Sequence, residues 1–230
     1  MDRENAWKLL IEHTNTPGLI KHALAVEAAM RAYARKFGED EEKWGIVGLL
    51  HDFDYDQHPS PEEHPLVGAA ILEREGYPED VIYAIKSHAD YLDLPRRSLM
   101  DKTLYAVDEL CGFLVAVALV RPGKRIADVP VKSVKKKLKD KAFARSVRRE
   151  DIRNGCEDLG VELSDHIQFV VDAMALVAAE LGLAGESDTG PAFRWKAGPG
   201  PSPAASCHSR RCKSQVAGGS TLPGGRRSIP

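Results

Sequence analysis

The chain has 230 residues, 43% of them hydrophobic, a formal net charge of −2 and four cysteines, which is long enough for one domain of good size or for one domain and a tail. No run approaches the ~18 consecutive apolar residues of a membrane span, and strand-favouring runs are few, so the composition argues for a helical chain with no membrane partner. Cys111, Cys156, Cys207 and Cys212 fall at no paired spacing and the first residues lack a secretion-signal layout, so a reducing, cytoplasmic home is expected.

In chain order, the spacing predicts a first helix over residues 2–14, with Trp7, Leu10 and Ile11 on one face, ended by Asn15-Thr16-Pro17-Gly18. A second helix spans 18–37, where Leu19, Ala23, Val26, Met30, Tyr33 and Phe37 recur at steps of four and three. His22 falls beside that buried face, where a histidine is ordinarily a core residue bonded to a carbonyl. Gly38 caps this helix, and the next one, with Trp44, Val47 and Leu50 at i, i+3 and i+6, turns into an acidic loop directly after His51-Asp52. Free carbonyls and the negative end of the helix dipole favour a cation there, so this pair makes a metal seat.

The loop over 53–63 is rich in turn formers and places His58 towards solvent. His64-Pro65 opens a short helix with Val67, Ala70 and Ile71 inward. After Gly76-Tyr77-Pro78 another helix carries Val81, Ile82 and Ile85 to His88, a second histidine closing a helix. The helix over 99–120 is the most apolar and is expected to be central, yet Asp108-Glu109 interrupts it. A buried carboxylate is costly unless paired or bound to metal, and period alone does not say which of the two acids faces inward.

Residues 132–141 form a basic helix with an apolar stripe of Val131, Val134, Leu138 and Ala142. Its lysines are either a solvated face or, for Lys132, Lys135, Lys136 and Lys137, contacts to substrate phosphate. Two helices follow, over 149–159 and 164–181, with His166 read as a surface residue in the first turn of the second. Beyond Leu183 the periodicity stops: residues 184–230 hold eight Gly, six Pro and seven Ser, which predicts a disordered tail outside a domain of residues 1–183. Cys207, His208 and Cys212 in that tail read as an exposed pair of thiols rather than a zinc knuckle. The tail carries seven Lys/Arg against two acids, leaving −7 on residues 1–183. An acidic body argues against nucleic acid as a partner.

Taken together, His22, His51-Asp52, His64, His88 and Asp108 lie on or at the ends of different predicted helices. In that order and spacing the chain resembles the HD-domain superfamily of metal-dependent phosphohydrolases, and the two extra histidines, His64 and His88, resemble its branch with a dinuclear metal site. The resemblance implies an all-α, single-domain bundle of about seven to nine helices. It implies one ion held by His22, His51, Asp52 and Asp108, a second held by His64 and His88, and Asp52 between them, since a carboxylate offers two oxygens where a neutral imidazole offers one lone pair. Mixed nitrogen and oxygen donors favour two divalent transition-metal ions, Mn or Fe first, with Co, Ni or Mg also compatible. His51, Asp52 and Glu109 are the implied catalytic residues, and Asp54, Asp56, Asp90 or Glu109 would orient imidazoles. The implied reaction is hydrolysis, by a metal-bound hydroxide, of a phosphate ester in a small phosphorylated substrate, a nucleotide or organophosphate. Two alternatives stand beside it: a di-iron oxygenase with the same ligands, and a non-catalytic nucleotide-sensing module. Phe53-Asp54 follows His51-Asp52 where one common variant has Ile-Gly, and the His-Thr-Thr-Gly segment of bacterial dinucleoside-tetraphosphate hydrolases is missing.

Overall fold

The computed structural model describes residues 1–185; the tail expected over 184–230 lies almost wholly outside the described residues, as do Cys207, His208 and Cys212. Among the described residues there are ten α-helices, two short 3-10 turns and no strand, with only an isolated bridge between Arg125 and Ala184. The helices are α1 (Arg3–His13), α2 (Pro17–Phe37), α3 (Glu41–Leu50), α4 (Leu66–Arg74), α5 (Glu79–Ser87), α6 (Leu99–Leu119), α7 (Val131–Leu138), α8 (Arg149–Leu159), α9 (Leu163–Ala175) and α10 (Ala178–Leu181). The all-α architecture expected from the sequence is the one observed. The tenth helix arises because the stretch predicted as one helix over 164–181 breaks at Leu176-Val177, where exposed Leu176 leaves the apolar stripe. No helix among the described residues is long and apolar enough to cross a membrane.

Local chemistry sets the boundaries. Asp2 caps α1 by accepting from the Asn5 amide, Asp40 caps α3 by accepting from the Lys43 amide, and Ser98 with Asp101 forms a reciprocal capping box on α6. Gly38 ends α2 at φ 74°, a left-handed conformation that costs a side-chain-bearing residue more than glycine. Two predicted faces are corrected. Ile11 is 45% exposed, because α1 turns Ala6 and Leu10 inward instead. Ala70 also points outward, and α4 buries Gly68, Ala69, Ile71 and Leu72.

The core is built on α2, α3 and α6. α3 lies against α2 closely enough that a Cβ on Gly48 would come within 2.9 Å of the Val26 carbonyl and the Glu27 amide. Buried Glu27 takes Arg3 of α1 through two hydrogen bonds at 2.6 and 2.8 Å and Arg31 through a third, which fastens α1 to α2 without leaving an unpaired buried charge. α6 crosses α2 with Leu104, Val107, Leu110 and Leu114 buried, so the middle of the most apolar helix faces the first turns of α2. The loop after α3 returns to the start of α2. The Asp56 carboxylate accepts from the Asn15 and Thr16 amides at 2.7 and 2.9 Å and from the Thr16 hydroxyl at 2.7 Å. That tie brings the residues following His51-Asp52 to the end of α2 that carries His22.

Candidate metal centre

Two helices end at the centre in the same way. His51 is the C-cap of α3 and His88 the C-cap of α5. Each ring sits by its Nδ1 against the carbonyl three residues back, His51 on Gly48 and His88 on Ile85. A carbonyl only accepts, so both Nδ1 atoms carry a proton, and Nε2 is the atom with a lone pair to give whenever the ring is neutral. His64, just before α4, reaches the same state by another route. Its Nδ1 lies 2.8 Å from Asp54 Oδ1, and the other Asp54 oxygen accepts from the Gly68 amide at 2.8 Å. Only glycine fits at 68, since a Cβ there would meet the Asp54 carboxyl at 2.9 Å and the Phe53 ring at 3.0 Å.

The four Nε2 atoms and two carboxylates form two groups joined at one residue. Donor atoms of His22, His51, Asp52 and Asp108 all lie within 4.8 Å of one another, as do those of Asp52, His64 and His88. Asp52 Oδ2 is 3.4 Å from His51 Nε2 and 3.8 Å from His22 Nε2, while Asp52 Oδ1 is 3.3 Å from both His64 Nε2 and His88 Nε2. Asp108 Oδ1 completes the first group, 2.9 Å from His22 Nε2 and 3.4 Å from His51 Nε2. His51 is fully buried, whereas the side chains of His22, Asp52 and Asp108 are about one-fifth exposed. The first group is therefore open to solvent on one side.

Charge explains the titration behaviour of these groups in the metal-free chain. Burial opposes the charged form of His51, but Asp52 and Asp108 beside it outweigh that and raise its pKa well above the usual imidazole range. Burial likewise opposes charge on His64, and Asp52 with Asp54 pushes it up to about 9. For Asp52 and Asp108 burial favours the neutral acid, yet the neighbouring imidazoles hold both carboxyls below their ordinary range. Imidazolium protons thus compensate two acids, the role a divalent cation takes more compactly. Four imidazole nitrogens, three of them with tautomers fixed by a partner on Nδ1, and two carboxylates make a donor set that fits divalent metal ions.

The cluster lines a cleft of about 470 Å³ whose walls include Tyr55, Tyr91, Tyr105, Glu109, Arg148 and Asp151. Glu109 sits beside Asp108 and the Arg148 backbone amide, and burial, reinforced by the Asp108 charge, raises its carboxyl to about 7. The other acids proposed to orient imidazoles divide. Asp54 holds His64, whereas Asp56 is used on the start of α2 and Asp90 accepts from the Tyr105 hydroxyl and pairs with Arg96. Lys132, Lys135 and Lys136 line a separate groove and do not reach the cleft, where the cation is Arg148 instead. His58 is partly exposed and pairs with Glu63. His166, expected at the surface, is buried between α2 and α6: its Nε2 is 2.9 Å from the Ala106 carbonyl and its Nδ1 2.6 Å from the Tyr33 hydroxyl. The signal for that lies in the sequence, where His166 precedes Val170, Ala173 and Met174 at i+4, i+7 and i+8 on the buried face.

Comparison with known proteins adds to this geometry. Ribonuclease Y of Oleidesulfovibrio alaskensis is 28% identical over 163 residues, 70% of this chain and 27% of that protein. Ribonuclease Y of Desulfotalea psychrophila is 26% identical over 164 residues, 70% of this chain and 28% of that one. Ribonuclease Y of Nitratidesulfovibrio vulgaris strain DP4 is 32% identical over 108 residues, 46% of this chain and 19% of its own. This chain thus spans about a quarter of the length of the first two relatives. No solved structure matches it. The family model described as "HD domain" matches residues 19–112, a span that contains all six clustered side chains from His22 to Asp108. That segment, with its paired His/Asp groups, is where the chain matches the HD domain family.

Proposed function

We propose that this chain is a metal-dependent phosphohydrolase that cleaves a phosphate ester in a nucleotide-bearing substrate. The observation that carries the reading is Asp52, whose two oxygens face two different histidine groups at 3.3 to 3.4 Å. His22, His51, Asp52 and Asp108 would hold one divalent ion, and His64 and His88, sharing Asp52, a second, with Mn or Fe the best match to these donors. When bound, such a pair polarises phosphoryl oxygens and acidifies a water at neutral pH.

The chain's own groups account for the rest. Gly48, Ile85 and Asp54 fix the tautomers that leave Nε2 free. Glu109 stands on the cleft wall beside Asp108, where its carboxyl is placed to take or give a proton. Arg148 offers a guanidinium to a phosphate oxygen, and the exposed rings of Tyr55 and Tyr91 offer faces to a base. The acidic body favours a small nucleotide as substrate. The relatives named ribonuclease Y favour a phosphodiester of RNA as a second reading, and their names also favour hydrolysis over the oxygenase and sensing alternatives.

The test is to load the purified protein with Mn, Fe, Co, Ni or Mg and offer it nucleotides, bis(p-nitrophenyl) phosphate and short oligoribonucleotides. Metal-dependent ester cleavage is expected. Oxygen uptake coupled to product in the iron-loaded protein, without hydrolysis, would establish the oxygenase instead, and tight nucleotide binding without turnover in any metal the sensing module.

A further inference from the structure

Residues 131–149 carry nine Lys/Arg and one acid, Asp140, a net +8 inside a 1–183 segment that sums to −7, so the remainder of that segment sums to −15. The separation is spatial as well. Lys132, Lys135, Lys136 and Lys139 fall at i, i+3, i+4 and i+7, the outer stripe of α7, opposite buried Val134 and Leu138. With Val131 and Ser164 of α9 they line a surface groove of about 530 Å³. Lys135 Nζ donates to the Ser164 hydroxyl at 2.9 Å, whereas Lys132, Lys136 and Lys139 form no ion pair among the described residues. From Lys139 the chain continues through exposed Lys141 and Arg145 to Arg148 on the wall of the metal cleft. Arg148 lies nine residues after Lys139, so the groove and the cleft are less than about 32 Å apart along that path.

We propose that the α7 stripe and the loop after it are a phosphate track that holds a single-stranded polynucleotide while one of its phosphodiesters occupies the metal cleft. The identity of the polyanion rests on the phosphohydrolase reading above. The cations end in a cleft whose donors suit phosphoryl chemistry and whose exposed tyrosines can stack unpaired bases. A mononucleotide would occupy the cleft alone, whereas a strand can touch both the cleft and the separate α7 groove. With a net −15 on the rest of residues 1–183, the basic track gives a strand a favourable path towards the metal cleft.

Fluorescence anisotropy of the full chain with a labelled 12-nucleotide oligoadenylate, in EDTA so that no turnover occurs, tests the track apart from the catalysis. Wild type should bind the 12-mer at least tenfold more tightly than a trinucleotide, with strong salt dependence. Replacing Lys132, Lys135, Lys136 and Lys139 by Gln should weaken 12-mer binding at least tenfold and reduce the log–log salt slope by about 3, at ~0.7 per single-strand phosphate contact, with helical circular dichroism unchanged. Should that variant fold poorly, Lys141→Gln with Arg145→Gln should lower the slope by about 1.4 on the same basis. Unchanged affinity and slope in the folded variants, no binding by wild type, or equal competition per charge by polyglutamate would overturn the track, the last pointing to a protein partner. Wild type that binds the 12-mer in this way, yet cleaves no ester with any metal, would sink the hydrolase reading alone.

Discussion

A carboxylate has two oxygens, and Asp52 directs one to each histidine group, so the single dipeptide His51-Asp52 joins what would otherwise be two unrelated clusters. The candidate ligands were legible in the sequence because they are anomalies against their helices: a histidine beside a buried face or at a helix end, or an acid inside the most apolar helix. Their supports were less so. Asp54 was one of four acids that could orient an imidazole, and the fold singles it out by turning it inward onto His64 and the Gly68 amide. Asp54→Asn should lower metal affinity about 10–100-fold, as loss of an orienting partner does, measured by competition with a chromogenic chelator; affinity equal to wild type would remove Asp54 from the centre.

His166 makes a second prediction at this scale. Its Nε2–H donates to the Ala106 carbonyl and its Nδ1 accepts from Tyr33, so burial holds the ring neutral and its pKa below 6.5. The unfolded chain therefore takes up a proton here more readily than the folded one, and this position costs stability as pH falls below about 6.5. Urea midpoints at pH 7 and 5 should fall further for wild type than for His166→Gln; equal drops would contradict the assignment.

At the scale of elements, periodicity found nine of the ten helices with boundaries close to those observed, because each carries an apolar stripe and a capping or breaking residue. What it could not supply was the pairing of helices. α3 carries glycine at 45 and 48, and the approach of α2 to Gly48 is what brings His22 Nε2 to 3.2 Å from His51 Nε2. Gly48→Ala places a methyl against backbone atoms that cannot swing aside. It should cost about 1–3 kcal/mol of stability and weaken metal retention by separating the two histidines. Chemical denaturation with metal analysis of the same preparation checks both, and a variant as stable and as metal-rich as wild type would show that the close approach is not required. The orientation of α6 is likewise set by packing. Asp108 turns to the histidines while Glu109 turns to the cleft wall, a division that the spacing of the sequence left open.

For the whole molecule, a single net charge is an incomplete guide to partners. A sum of −7 over residues 1–183 conceals a +8 segment beside a −15 remainder, and a surface divided in that way can repel polyanions over most of its area while holding one along a single path. The central claim remains the convergence of six side chains from separate parts of the chain on a pair of ions that share Asp52. Anomalous X-ray scattering from crystals of the Mn- or Fe-loaded protein tests it most directly. The account predicts two peaks ~3.5–4 Å apart, one among His22, His51 and Asp108 and one beside His64 and His88, with an Asp52 oxygen on each. A single peak, or peaks away from Asp52, would contradict it.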